Sequence, residues 1–328
     1  MNSFGNLFKI TLYGESHQAA IGVVIDGVLP GTLIDDEKIK HDLILRNPVA
    51  VGTTPRKEPD VFEITSGVFN QKATGSPIHL MIRNVAVISK DYDHLKNHPR
   101  PGHADLVSFE KYNHFNDYRG GGRFSGRLTA PLVAAGAIAK MMVPYKFTHQ
   151  LVQVGTLKDM SQLDQYLEEV TQKKDSVGGI IEVRVSDMPI GLGEPMFEKL
   201  DAKIAQMLFS IPAVKGVEFG TGFQGIERFG SEFNDVIIDQ KGQTNTNHSG
   251  GVSGGISNGN DLIVRVFIKP TSSIKKAQNT YALDEKELKT LAIEGRHDVC
   301  IARRAGIVIE NAVAIVCADM FLLNKMYQ

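Results

Sequence analysis

The stretch from Arg100 to Arg127, RPGHADLVSFEKYNHFNDYRGGGRFSGR, concentrates side chains that can do chemistry. It holds the arginines Arg100, Arg119, Arg123 and Arg127, the histidines His103 and His114, and the consecutive glycines Gly120 to Gly122. Arginine presents a planar fork of donors suited to carboxylate and phosphate and stays charged at any working pH. A glycine triplet lets the backbone pass close to a ligand in conformations other residues avoid. A histidine in this setting is a candidate proton carrier. The combination points to recognition of a small polyanion with proton transfer beside it. The net charge of −1 makes the block a local device, with compensating acids expected elsewhere in the chain.

Further clusters lie outside that block. Gly14-Glu15-Ser16-His17 precedes the first strong strand and reads either as a turn with one incidental histidine or as a catalytic loop. It does not fit the nucleophile elbow GxSxG. Arg46 follows an apolar run and reads either as a loop charge or as a side chain pointing into a site, whereas Arg56 and Lys57 read as solvated loop charges. His248 to Gly259, HSGGVSGGISNG, lacks the lysine of a phosphate-binding P-loop and the spacing of a dinucleotide fingerprint. It is a glycine-rich turn or a close backbone approach to a cofactor. Lys269-Pro270-Thr271-Ser272-Ser273 offers an ammonium, hydroxyls and amides at a strand end, as a phosphate site or an ordinary turn would. In Gly295-Arg296-His297-Asp298, Asp298 can orient His297, carry a proton or cap the last helix. No histidine or cysteine pair has metal-ligand spacing, so no metal is assigned.

Elements that would position these groups follow from periodicity. Ala20–Val28, Asp60–Val68, Pro77–Arg83, Val152–Thr156, Gly179–Val185 and Asp261–Ile268 read as strands. Ala130–Val143, Phe197–Ser210, Asp284–Ala292 and Ala305–Met326 read as helices. No regular strand–helix alternation appears, which favours α+β over a doubly wound sheet. Length allows one large domain or two, but no linker or repeat divides the 328 residues. Cys300 and Cys317, the only cysteines, read as reduced thiols in a cytoplasmic protein. The N-terminus lacks the apolar core of a signal peptide. The apolar run Ala312–Leu323 is broken by Asp319 and is too short to span a bilayer, so no membrane role is expected. Nucleic-acid binding through the arginines is disfavoured by the near-neutral charge and the lack of a known module.

Taken in order, GESH, RPGHAD, DYRGGGR, GGISNG, KPTSSI and GRHD resemble the chorismate synthase family, as do VKGVEFGTGF and TPRKEPDVFEITSGVF. The resemblance covers essentially the whole chain. It implies a single domain over 1–328 with a β-α-β sandwich core, assembled as a homotetramer. It also implies a shikimate-pathway lyase that converts 5-enolpyruvylshikimate 3-phosphate to chorismate and phosphate by anti-1,4-elimination, using reduced FMN without net redox change. By the resemblance, His17 protonates departing phosphate, His103 protonates the reduced flavin, and Asp298 acts at the flavin with Ser16 or Ser125. Arg123, Phe124, Ser125, Ala213, Gly254, Lys269, Pro270, Thr271, Ser272, Ser273 and Arg296 match segments that contact FMN. Arg46, Arg100, Arg119 and Arg127 would hold substrate anions.

The chain also departs from the family pattern. Gln18 replaces a glycine, Phe124 a serine, Leu128 a glutamate and Val299 a proline, while Leu45 and Asn47 thin the arginines around Arg46. Val51 and Gly52 occupy the stretch where a further arginine is usual. The Arg46 region is where NADPH would sit in members that reduce their own flavin. Its thinning argues against that activity and for an external flavin reductase. The departures also raise an alternative, a flavin- or phosphate-binding homologue with reduced or lost turnover.

Overall fold

The computed structural model describes residues 2–47, 50–53, 59–85, 95–293 and 297–327. Ile21, Val23 and Ile25 alternate along one strand and Ile78, Leu80 and Ile82 along its neighbour, and all six side chains are completely buried. Alternation of this kind turns one sheet face to the core. In chain order the strands are β1 (Ser3–Phe4), β2 (Lys9–Gly14), β3 (Ala20–Asp26), β4 (Phe62–Ser66), β5 (Val68–Phe69), β6 (Lys72–Ala73), β7 (Ile78–Arg83) and β8 (Lys146–Val154). They continue as β9 (Gly179–Ser186), β10 (Val214–Phe219), β11 (Val252–Ser253), β12 (Ile256–Ser257), β13 (Leu262–Ile268), β14 (Gln278–Ala282) and β15 (Glu287–Leu291). The helices are α1 (Asp36–Arg46), α2 (Asp105–Lys111), α3 (Thr129–Met142), α4 (Leu163–Gln172), α5 (Leu200–Phe209), α6 (Gly230–Phe233) and α7 (Ala302–Asn324).

Two antiparallel sheets enclose the main helices. One has the order β1-β2-β3-β7-β4 and the other β10-β13-β9-β8. Helix α3 packs on β3 and β7, α7 packs on β8 and β9, and α3 and α7 pack on each other. The expected sandwich is therefore a helical layer between two sheets, with one continuous hydrophobic core running through it. The arrangement is α+β.

Ala130 to Ala139 are buried without a break, which marks α3 as a helix enclosed on all sides. Gly136 permits the close approach of α7: a Cβ there would lie 2.3 Å from the Cβ of Asn311. Helix α7 is long and apolar enough to cross a membrane, but its most apolar window, of mean hydropathy 2.0, is 89% buried inside the protein. This corrects the expectation that the C-terminal apolar run is too short. Burial between the sheets, rather than length, accounts for its composition. Asp319 does not interrupt α7. Its buried carboxylate accepts the backbone N–H groups of Asn6, Leu7 and Phe8 at 2.9, 2.7 and 2.9 Å, anchoring the start of the first sheet.

A second correction concerns Asp284–Ala292, expected as a helix. The chain there forms β15, paired with β14 from Gln278↔Leu291 to Ala282↔Glu287. Lys286 in the connecting turn has φ +57°, which ends any helical path. The strand expected at Val152–Thr156 is the end of the longer β8.

Candidate active site

The loop between β2 and β3 carries Ser16 and His17, which are 0% and 7% exposed. Gly14 closes β2 at φ +88°, where a Cβ would strike the carbonyl oxygen of Ala20 at 2.3 Å. The loop is docked on the glycine triplet. Ser16 Oγ donates to the carbonyls of Arg119 (3.2 Å) and Gly120 (3.1 Å), and Ser16 N–H donates to Gly122 (3.4 Å). Asn84 completes the attachment by donating to the carbonyls of Glu15 (3.0 Å) and Gln18 (2.8 Å).

The triplet itself is left-handed, with φ +57°, +79° and +50° at Gly120, Gly121 and Gly122. A Cβ on Gly120 would lie 2.4 Å from the His17 ring, and one on Gly121 would lie 3.4 Å from His103 Cε1. Successive glycines thus seat the two histidines that the sequence singles out, although they are far apart in the chain. Ser125 flanks the same place, 4.0 Å from a Cβ on Gly121. His103, Asp105, Phe109, Asp117, Gly121 and Phe124 line a cavity of about 170 Å³. Phe124, 6.5 Å from the Tyr112 ring, gives it an apolar wall, and Leu128 is buried in the core beneath.

The arginines do not stand as free cations. Arg100 donates through Nε to Asp105 (2.8 Å), through Nη1 to Ser273 (3.1 Å) and through Nη2 to Asp105 (2.8 Å). Arg119 grips Asp117 through Nε (2.7 Å) and Nη2 (2.6 Å). Its hydrogen bonds outweigh burial and hold the Asp117 carboxyl below the usual range. Arg46, in the last turn of α1, reaches Asp60 at 3.1 Å and Thr129 at 3.1 Å. Arg127 pairs with the other oxygen of Asp60 and donates to Asn84 at 3.1 Å. Asp60, whose side chain is fully buried, sits at φ +45°, an uncommon backbone state for a non-glycine residue. Arg123 instead satisfies backbone carbonyls, those of Gly14 (3.2 Å) and Leu12 (2.9 Å).

The KPTSS segment meets the same loops. Lys269 donates to the carbonyl of Gly102 and to Ser272 Oγ (2.8 Å), and Ser272 donates to Gly102 (2.7 Å). Ala213, at φ +73°, accepts from the Lys269 N–H at 2.9 Å. Burial and the nearby charge of Lys215 both push the Lys269 ammonium below its ordinary value. Pro270 follows Lys269 where the chain leaves β13. Thr271 Oγ1 is buried with no hydrogen-bond partner among the described residues. A lysine pair and an unsatisfied hydroxyl at one strand end suit an anionic oxygen ligand, so these residues fit a flavin phosphate.

Two expected residues sit differently. Gly254 occupies the turn of the β11–β12 hairpin, at φ +63° with nothing within 4 Å of a Cβ. That hairpin packs on the start of α5, where Leu200 N–H donates to Gly255 at 2.7 Å. Arg296 lies outside the described residues, as do Arg56 and Lys57. Asp298 is held by Arg304 Nη1 at 3.1 and 3.2 Å, and Arg304 Nε donates to the carbonyl of Arg46 at 3.0 Å. That link brings Asp298 to the Arg46 corner.

Sequence reasoning missed Asp60, Asp105, Asp117, Asn84 and Arg304. The first three lie inside quoted motifs (KEPD, GHAD, NDYR), and the near-neutral net charge had called for such acids. Assigning no metal had rested on spacing alone. Among the described residues His98, Asp284 and Glu285 bring their ligand atoms within 4.8 Å of one another at the surface, but Lys289 already holds Glu285 at 2.8 Å.

Known proteins resemble the chain over nearly its whole length. The chorismate synthase family model matches residues 8–322. A chorismate synthase from Chitinophaga pinensis is 49% identical over 328 residues, covering 99% of this chain and 98% of that one. One from Saccharolobus solfataricus is 43% identical over 348 residues, covering 97% and 89%. A crystal structure of a chorismate synthase superposes with a TM-score of 0.75 at 28% identity, covering 98% and 93% of the two chains.

Proposed function

The chain belongs to the chorismate synthase family, whose activity is that of a carbon–oxygen lyase, and we propose that it converts 5-enolpyruvylshikimate 3-phosphate to chorismate and phosphate with reduced FMN. The observation that carries this reading is the seating of His17 and His103 on the successive glycines Gly120 and Gly121. Two candidate proton-transfer groups then lie against neighbouring residues of one left-handed turn.

Reduced FMN, when bound, supplies electron density as the allylic phosphate leaves. In this reading Arg123, Phe124, Ser125, Ala213, Gly254 and Lys269 to Ser273 hold the flavin, with Arg296 added to that set. The unsatisfied Thr271 hydroxyl and the Lys215–Lys269 pair support the phosphate end. His17 donates a proton to the departing phosphate oxygen, and His103 holds a proton beside the flavin. Asp298, steadied by Arg304, works with Ser16 or Ser125. Arg119, whose side chain is 35% exposed, reaches substrate anions directly. Arg46, Arg100 and Arg127, nearly buried, contribute positive charge behind it, with Asp60 held between Arg46 and Arg127.

The reading extends to assembly and context. One large domain acts in the cytoplasm within the shikimate pathway, as a homotetramer. The segment from Phe223 to Ile238 supports oligomerisation, because Phe223, Ile226, Phe229, Val236, Ile237 and Ile238 are 58–91% exposed in the single chain. An external reductase supplies reduced flavin, given the thinned arginines near Arg46, and no NADPH step is assigned.

Anaerobic mixing of the chain with reduced FMN and 5-enolpyruvylshikimate 3-phosphate tests the reading. A transient change in flavin absorbance followed by free phosphate is expected. Flavin binding without phosphate release at saturating substrate would instead identify a binding homologue that has lost turnover.

A further inference from the structure

His103 Nδ1 lies 2.5 Å from Asp105 Oδ1. A cation also meets the ring, with Arg100 Nη2 at 3.0 Å from Nδ1 and 3.2 Å from Nε2. Asp105 is itself immobilised, because Arg100 donates to it from its backbone N–H (3.0 Å), Nε (2.8 Å) and Nη2 (2.8 Å). Arg100, whose side chain is 5% exposed, is fixed in turn by Ser273. Burial would raise the Asp105 carboxyl, but the hydrogen bonds and charges of Arg100 and His103 hold it well below the usual carboxylate range. It is therefore an ionised acceptor at any working pH.

The contact with Asp105 selects one tautomer. A neutral ring protonated at Nε2 would turn the Nδ1 lone pair toward the ionised carboxylate at 2.5 Å, a repulsive contact, whereas Arg100 lies at nearly equal distance from both nitrogens and favours neither. A ring protonated at Nδ1 donates to Asp105 and leaves Nε2 to accept from Arg100. The same ring edge faces the glycine turn, with Nε2 3.6 Å from a Cβ built on Gly121.

We propose that Asp105 is a positioning residue that fixes His103 in its Nδ1-protonated form and makes Nε2, beside Gly121, the nitrogen that exchanges protons with bound ligand. Arg100 and Ser273 serve this function by holding Asp105 and its guanidinium partner rigid. The role deepens the reading of His103 given above and rests on it for turnover, but the tautomer is a property of the protein alone.

The test is nitrogen NMR of the full chain carrying labelled histidine, with His103 assigned by loss of its signals in His103→Gln. The wild type should show a protonated Nδ1 and an unprotonated Nε2 in the neutral ring. Asp105→Asn, whose amide donates to Nδ1, should move the proton to Nε2 and lower kcat by about 100-fold or more with KM little changed. Asp105→Glu should restore the Nδ1-protonated form. An Nε2 proton in the wild type, or an unchanged tautomer or kcat in Asp105→Asn, overturns the proposal. The wild-type spectrum decides even where the variant fails to fold. A chain that turns over no substrate sinks the enzymatic reading and leaves the tautomer result standing.

Discussion

Val299 donates its backbone N–H to the carbonyl of Gly52 at 2.8 Å. The resemblance read from the sequence expected a proline at the first position and an arginine close to the second. Proline carries no N–H, so a proline at position 299 could not make this bond. Gly52 sits at φ +77°, where a Cβ would press on Leu167 Cδ1 at 2.8 Å, and Arg303 holds the adjacent Val51 carbonyl at 2.8 Å. These contacts dock the segment after α1 onto the entrance to α7. Val299→Pro should lose about 1 kcal/mol of stability, the value of one hydrogen bond, while the Cys300 N–H still reaches the Gly52 carbonyl at 3.3 Å. Thermal unfolding reads this, with Val299→Ala, which keeps the N–H, as the control. Equal midpoints for the two variants would contradict it.

Gly120→Ala should cost activity without costing the fold. Its Cβ would meet His17 at 2.4 Å in a left-handed backbone, so the imidazole must move. A fall in kcat of about 100-fold is expected. Gly126→Ala provides the comparison, since nothing lies within 4 Å of a Cβ there. Comparable activity in the two variants would remove the glycine turn from the account.

Asp60→Ala should be strongly destabilising. It leaves Arg46 and Arg127, both nearly buried, without the carboxylate that they share. Breaking a buried ion pair from one side costs about 3–5 kcal/mol. Denaturant unfolding measures it, and a loss within the range of a surface substitution would contradict this role.

Acid should weaken the core through Glu310. Burial raises its carboxyl, but hydrogen bonds and charges from His149 and Lys140 lower it more, so it falls below its ordinary 4.5. A depressed folded-state value means that ionised Glu310 contributes stability above pH 4.5, lost as pH falls through the depressed value. Lys140 also bridges to Asp42 at 2.9 Å, and Asn311 donates to Asp42 at 3.0 Å, so the network joins α1, α3, α7 and β8. Glu310→Gln should lower stability at neutral pH and flatten its decline below pH 4.5. An acid limb as steep as the wild type's would assign that decline to other carboxylates.

Periodicity made the sandwich legible wherever one face or a whole element is buried. Ala130–Val143, expected as a helix, is α3 within a residue at each end, and the expected strands at Ala20, Pro77, Gly179 and Asp261 correspond to β3, β7, β9 and β13. The β14–β15 hairpin was not legible, because half of its residues face solvent and its polar alternation also fits a surface helix. At the site, motif order identified the two histidines and the glycine turn. It did not show that each arginine would be met by a particular carboxylate, since Asp60 lies far from Arg127 in sequence and reaches it only through the fold. Gln18 shows the same limit. Its side chain donates to Asp117 at 2.9 Å and fastens the His17 loop to the arginine block, a contact with a residue far away in sequence.

Anaerobic phosphate release from 5-enolpyruvylshikimate 3-phosphate with reduced FMN, measured for the wild type, His17→Ala and His103→Ala, tests the central claim most directly. Turnover by the wild type with a loss of about 100-fold or more in each variant is the predicted result. Near-wild-type rates in either variant would contradict the two-histidine centre, and no release from any of the three would contradict the function itself.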